Sequence, residues 1–180
     1  MIYCLIGASS SGKTTIEERV VNILDSNIKK IVSYTTRPKR ESEENGVHYH
    51  FISNNTFFDM KKRGMFAEIE KYRDWYYGIS LKGIDYKNND YIVVVTVNGY
   101  KELLKKVGKE NIIAIHVKVE ERNRLMRQLN RGDDIDEVIR RLYTDREDFK
   151  GAEEVCDYII ENYNLNKAVK SVVEIIKVHS

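Results

Sequence analysis

Residues 7–14 read Gly-Ala-Ser-Ser-Ser-Gly-Lys-Thr, GASSSGKT, and match the phosphate-binding pattern G-x-x-x-x-G-K-[ST] at every fixed position. The flanking sequence supplies the context that pattern needs. Met1-Ile2-Tyr3-Cys4-Leu5-Ile6 reads as a short buried strand, and Ile16, Val20, Ile23 and Leu24 recur at helical spacing beyond it. In a strand–turn–helix of this kind, successive backbone N–H groups and the helix N-terminus form an anion cradle. Gly7 and Gly12 allow close approach of phosphates, Lys13 is placed to reach the β and γ phosphates, and the Thr14 hydroxyl is placed on Mg²⁺. Residues Gly7, Ala8, Ser9, Ser10, Ser11, Gly12, Lys13, Thr14 and Thr15 are therefore the expected triphosphate site.

Working outward, 180 residues fit one domain with a real core. Hydrophobic residues at 42% and charged residues at 32% describe a globular chain. No apolar run reaches the length of a membrane span and no secretory leader pattern precedes the first strand, so the expected location is cytoplasmic. Cys4 and Cys156 have no metal-ligand spacing and read as reduced, buried thiols. Thirty basic and 28 acidic residues leave a net charge of +2, too balanced to argue for nucleic acid as a partner. Oligomeric state is not legible.

Strands are expected at 2–6, 29–34, 47–52, 91–97, 111–118 and 157–161, alternating with helical patterns. Leu103, Leu104 and Val107 mark one helix, and Leu125, Met126 and Leu129 a second. Ile135, Val138, Ile139 and Leu142 mark a third, and residues from Leu165 to Ile176 a last one. Runs such as Tyr91-Ile92-Val93-Val94-Val95 are continuous, as befits a sheet covered on both faces. The pattern gives an α/β fold with a mostly parallel central sheet and helices on both sides. Residues 46–80 break the alternation, being rich in Tyr, Phe and His with one helix near 54–63, and read as an inserted lobe.

Ser33-Tyr34-Thr35-Thr36-Arg37-Pro38-Lys39-Arg40 opens the segment SYTTRPKRESEENGVHYHF, which ends at Phe51. Here the chain resembles guanylate kinases, whose acceptor-site pattern is close to S-x-T-T-R-x-x-R-x-x-E-x-x-G-x-x-Y-x-F. The match holds at Ser33, Thr35, Thr36, Arg37, Arg40, Glu43, Gly46, Tyr49 and Phe51. It continues through Phe66-Ala67-Glu68, Trp75-Tyr76-Tyr77-Gly78 and Asp157 to Asn162, and so covers essentially the whole chain. The resemblance implies a P-loop fold in one domain of residues 1–180. Its core would be 1–32, 81–118 and 150–180, its mixed-β acceptor-binding insert 33–80, and its helical lid 119–149.

The resemblance further implies an enzyme that transfers the γ-phosphoryl group of ATP, with Mg²⁺, to GMP and to dGMP. Two arginines three apart can grip a monophosphate with forked hydrogen bonds that lysine cannot reproduce. By resemblance Arg37 and Arg40 do so, helped by Tyr49 and Tyr77. Glu68 matches the position that accepts from guanine N1–H and N2–H₂, Ser33 the one that contacts O6, and Asn162 falls in the matched ATP-binding stretch.

Between Val119 and Phe149 all seven basic residues are arginine, a bias that suits polyphosphate recognition. Arg127 and Arg131 share a helix face, opposite Leu125, Met126 and Leu129. The resemblance places Arg131 and Arg141, with Lys13, around the transferring phosphoryl, and Arg127 and Arg131 on ATP. Arg122, Arg124, Arg140 and Arg146 read as solvated or salt-bridged, and Asp133-Asp134 beside Gly132 as a mobile turn.

The chain departs from the family at three positions. Val94 and Thr96 stand where two acids are expected on the fourth strand, and Ile79 where a Ser or Thr usually follows Tyr-Tyr-Gly. Thr96 can still offer the acceptor one hydrogen bond without charge. These departures leave room for two alternatives. One is a related kinase acting on another small phosphorylated acceptor such as a ribose phosphate; the other is a guanylate-kinase-like protein-binding module.

Overall fold

A computed structural model describes all of residues 1–180. Its centre is a five-stranded, wholly parallel sheet in the order β2-β7-β1-β8-β9. These strands are β1 (Ile2–Ile6), β2 (Lys29–Lys30), β7 (Tyr91–Val95), β8 (Ile112–Lys118) and β9 (Tyr158–Glu161). The period of two along β1 divides the core. Tyr3 and Leu5 face one side with Ile16, Val20, Val169, Val172 and Ile176. Ile2, Cys4 and Ile6 face the other with Val97, Tyr100, Leu103 and Val107. Helices α1 (Lys13–Leu24) and α7 (Leu165–His179) thus cover one face, and α3 (Val97–Val107) the other.

A second sheet of four strands is mixed, in the order β4-β3-β6-β5. It holds β3 (Tyr34–Thr35), β4 (His50–Phe51), β5 (Glu68–Tyr72) and β6 (Trp75–Ile79), with α2 (Asn54–Lys62) between β4 and β5. Pairing of β3 with β4 is parallel, whereas β3–β6 and β5–β6 are antiparallel. Ser53 caps α2 by accepting from Thr56 N, and Phe57 stacks on Phe66 with ring centroids 4.6 Å apart. Helices α4 (Glu121–Asn130) and α5 (Ile135–Asp148) follow β8, and a single turn, α6 (Ala152–Val155), leads into β9.

Several expected boundaries shift. The expected strand 29–34 divides: Lys29–Lys30 pairs with the central sheet and Tyr34–Thr35 with the insert, so the chain changes sheet inside that run. The expected strand 47–52 shrinks to His50–Phe51, because Gly46 N–H donates to the Tyr49 carbonyl at 2.8 Å in a turn. Strand β7 stops at Val95, since the Thr96 hydroxyl accepts from Gly99 N and starts α3. A 3₁₀ turn at Lys109–Asn111 delays β8 to Ile112. Cys4 is buried, as read, but Cys156 is only half-buried.

The lid helices differ more. Met126, Leu129, Ile135 and Ile139 are all exposed, while Arg124, Gln128, Val138 and Asp145 are buried. Of the apolar stripes read from the sequence, Val138 is buried and Leu125 and Leu142 partly so, while the other four positions face outward. The two helices are joined through a buried ion pair, Arg124 Nη1 to Asp145 Oδ2 at 2.8 Å.

Candidate functional site

The loop 7–12 lies at the carboxyl end of β1, where parallel α/β sheets bind ligands. A Cβ on Gly7 would stand 2.5 Å from the Val117 carbonyl oxygen, so the loop can pass β8 only as glycine. Gly12 has φ 94°, and a Cβ there would collide with the Asn162 amide. Ser10, also left-handed at φ 60°, stores backbone strain within the same turn. Lys13 folds back over the loop, its ammonium donating to the Gly7 carbonyl and to Ala8 O at 2.9 Å. Burial lowers Lys13 to about 8, with Asp145 nearby working against that fall.

Three clefts converge on this loop. One of about 570 Å³ runs from Gly7 and Lys13 past Ser33, Tyr49 and Tyr77 to Glu68 and Thr96. A second, about 340 Å³, is lined by Thr14, Arg37, Arg40, Tyr49, Tyr77 and Arg131, among others. Ser33, Tyr49, Tyr77 and Val94 line both, so the two form one continuous acceptor-side space. The third, about 330 Å³, lies beyond the loop among Gly12, Thr15, Arg127, Arg131, Asn162 and Tyr163. Arg131 lines the second and third and spans the gap between them. A larger cavity of about 750 Å³ opens at the opposite end of the sheet near Met1 and Asp90, which pair with each other at 3.1 Å.

The acceptor-side arginines sit on a braced loop. Arg37 Nη2 donates to Glu43 Oε1 at 2.6 Å, and Glu43 Oε2 accepts from Arg40 N at 2.8 Å. Arg37 also lies over the Tyr49 and Phe51 rings, at 5.7 and 5.5 Å. Arg37 is consequently buried and oriented, whereas the Arg40 side chain is exposed and carries no ion pair. Tyr49 and Tyr77 meet edge to face at 5.9 Å.

At the far end of the acceptor space Glu68 is buried and its carboxylate has no hydrogen-bond partner in the protein. Burial, with Glu70 and Glu102 adding to it, raises Glu68 to about 8. Gly99 makes room for it: a Cβ there would lie 3.2 Å from Glu68 Oε1. Thr96 does line this space, but its hydroxyl donates to Glu70 Oε1. Ile79, 2% exposed, packs into the core under the cleft, and the Ser80 hydroxyl accepts from Lys82 N at 3.3 Å instead of lining it.

Among the lid arginines, Arg127 is engaged with the loop itself. It donates to Ser10 O at 3.2 Å, Ser11 O at 3.4 Å and Asn162 O. Asn162 Nδ2 donates to Ser11 O at 2.7 Å, leaving its buried Oδ1 unpartnered at the edge of the third cleft. Arg131 and Arg141 both pair with Asp133, and Arg141 Nε also donates to Glu137 Oε1 at 2.7 Å. The Asp133-Asp134 turn is thus tied down: Asp134 caps α5 by accepting from Glu137 N at 3.0 Å. Arg140 and Arg146 are salt-bridged as read, to Glu137 and Glu121, and Arg122 is exposed.

Three residues that sequence reading passed over belong here. Asp145 accepts from Ser9 N at 2.9 Å and from Ser9 Oγ at 3.2 Å while holding Arg124, so it clasps the lid to the phosphate loop. Glu17, one turn beyond Thr14, lines the arginine cleft and pairs with Lys30 at 2.9 Å. Burial raises Glu17 to about 7 against the pull of Lys30. Glu70, which accepts from the Thr96 hydroxyl, is the third. Each is held by a partner remote in sequence, and no local spacing announces that.

Comparison with known proteins places this architecture. The family model described as guanylate kinase matches residues 1–179. The guanylate kinase of Campylobacter jejuni (strain RM1221) is 29% identical over 183 residues, covering 99% of this chain and 88% of the relative. That of Thermotoga maritima is 33% identical over 181 residues, covering 98% and 86%. The crystal structure of guanylate kinase from Anaplasma phagocytophilum superposes with a TM-score of 0.78 over 99% of this chain and 85% of that one; at 22% identity it speaks for the fold. The chain belongs to the guanylate kinase family.

Proposed function

We propose that this member of the guanylate kinase family transfers the γ-phosphoryl group of ATP to GMP, and to dGMP, giving ADP and GDP or dGDP. The observation that carries the reading is the acceptor cleft itself. An arginine pair beside two tyrosines stands at one end, and a buried carboxylate without a partner at the other. A purine monophosphate whose base offers paired donors satisfies both ends at once. Guanine presents N1–H and N2–H₂ to Glu68, and Arg37 and Arg40 take the phosphate with Tyr49 and Tyr77. Adenine lacks those donors and leaves Glu68 buried and unpaired, a loss of about 1–3 kcal/mol or more. Ser33, which lines the same cleft, would contact O6, and Thr96 would contribute through Glu70.

On the donor side, the N–H groups of residues 7–15 take the phosphates, and Lys13 turns from its own loop carbonyls to the β and γ phosphates. The unpaired Asn162 Oδ1 supports a donor such as the adenine amino group in the third cleft, with Arg127 holding the loop in shape. Insert 33–80 and lid 119–149 close around the two nucleotides, bringing Arg131 and Arg141 off Asp133 onto the moving phosphoryl. Transfer needs in-line placement, dehydration and positive charge, and requires no general base.

Thr14 fits a hard divalent cation: its side chain is exposed in the arginine cleft, makes no hydrogen bond in the protein, and stands one helical turn from Glu17. Mg²⁺ held there would supply positive charge to offset that of the phosphates. The test is ADP release from ATP·Mg²⁺ with GMP, dGMP, AMP, CMP, UMP and ribose phosphates supplied separately. Turnover confined to GMP and dGMP is the expected result. Turnover on a sugar phosphate alone, or on no acceptor, would overturn the assignment.

A further inference from the structure

Glu68 and Glu70 are two apart on β5, so both side chains leave the same face of the strand and enter the acceptor cleft. In the same cleft the chain has Val94 on β7 and Thr96 just beyond its end, which bring no charge. Thr96 has a single hydroxyl proton, and its oxygen already accepts from Gly99 N at 3.0 Å as the cap of α3. The proton therefore goes to Glu70 Oε1. That bond fixes one oxygen of the Glu70 carboxylate and leaves Oε2 without a partner in the protein. Both acids are held above the usual carboxylate range, mainly by burial, so neither is solvated as a surface acid would be.

Guanine has three N–H hydrogens along one edge: one on N1 and two on N2. A single carboxylate can accept from N1–H and the nearer N2–H, and the remaining amino hydrogen then needs its own acceptor. We propose that Glu70, held by Thr96, is a specificity-determining residue that accepts the second guanine N2–H. On this assignment the acid absent from β7 is supplied across the cleft from β5. The inference rests on the GMP reading above and adds the residue that distinguishes guanine from hypoxanthine, which has no 2-amino group.

The substitution Glu70→Gln tests this with little change of shape. The Thr96 proton selects the amide oxygen of Gln, which turns the NH₂ group toward the cleft, where it would face another donor. The measurement is kcat, KM and kcat/KM for GMP and IMP in wild type and E70Q, with thermal melts confirming that both are folded. Expected is a fall of ~10–100-fold in kcat/KM for GMP, carried mostly by KM, as for one mismatched buried hydrogen bond. IMP should change by less than ~3-fold, since the lost acceptor has no partner on that base. Parallel losses for GMP and IMP, or none for GMP, in an enzyme whose wild type phosphorylates GMP, would overturn the role of Glu70 alone. A wild type silent on GMP would remove the GMP reading and this inference with it.

Discussion

In the ligand-free protein burial holds Glu68 near 8, so below that pH its carboxyl keeps a proton that the unfolded chain would have lost. On the proposed assignment guanine binds the ionised form, because N1–H and N2–H₂ both need an acceptor. GMP binding must then expel a proton, and affinity should climb between pH 7 and 8 and level off above. The nucleotide phosphate is already a dianion in that window. Calorimetry in two buffers of different ionisation enthalpy reads the proton directly, and Glu68→Gln should lose both the release and the slope; an unchanged slope in that variant would acquit Glu68. Lys13 has the opposite shift for the same reason, burial lowering an ammonium to about 8. Its Lys13→Met variant should retain its melting transition yet lose at least ~100-fold in turnover, as when one transition-state donor is removed. Such single positions were the most legible part of the sequence. Lys13, Arg37, Arg40 and Glu68 each lie in a pattern of fixed spacing, and the structure sets them along one contiguous cleft.

Elements whose partners lie near in sequence were legible as well; those that depend on remote partners were not. Helices α1 and α7 follow their apolar period and face the core as that period requires, except at Ile23 of α1, which is 59% exposed. Helices α4 and α5 do so only at Val138, because their other inward positions are filled by Arg124, Gln128 and Asp145. The Ser9–Asp145 contact joins residues 136 apart and Thr96–Glu70 residues 26 apart, separations at which periodicity carries no signal. The β5–β6 hairpin was equally hidden, since its turn is Arg73-Asp74 and not a glycine pair, with Arg73 at φ 55°. The clasp has a measurable consequence. Asp145→Asn leaves the Arg124 guanidinium buried without its counter-charge, and urea denaturation should show a loss of about 3–5 kcal/mol. A loss under about 1 kcal/mol would mean that water already screens the pair.

At the scale of the whole molecule, a parallel sheet delivers the phosphate loop, a mixed sheet delivers the acceptor end, and two helices carry arginines across the space between. The insert and the lid are already joined at their tips. Arg73 pairs with Glu137, and Arg140 donates to the Tyr72 hydroxyl and to Glu137. Glu137 also holds Arg141, so one carboxylate is shared between the insert tip and that arginine. No helix is long and apolar enough to cross a membrane. The central claim is that ATP's terminal phosphoryl group moves to GMP, and phosphorus NMR of one reaction mixture tests it most directly. With ATP, Mg²⁺ and GMP present, the GMP signal should disappear as those of GDP and ADP grow in equal amounts. ATP left intact, or orthophosphate accumulating where GDP should be, would contradict the account.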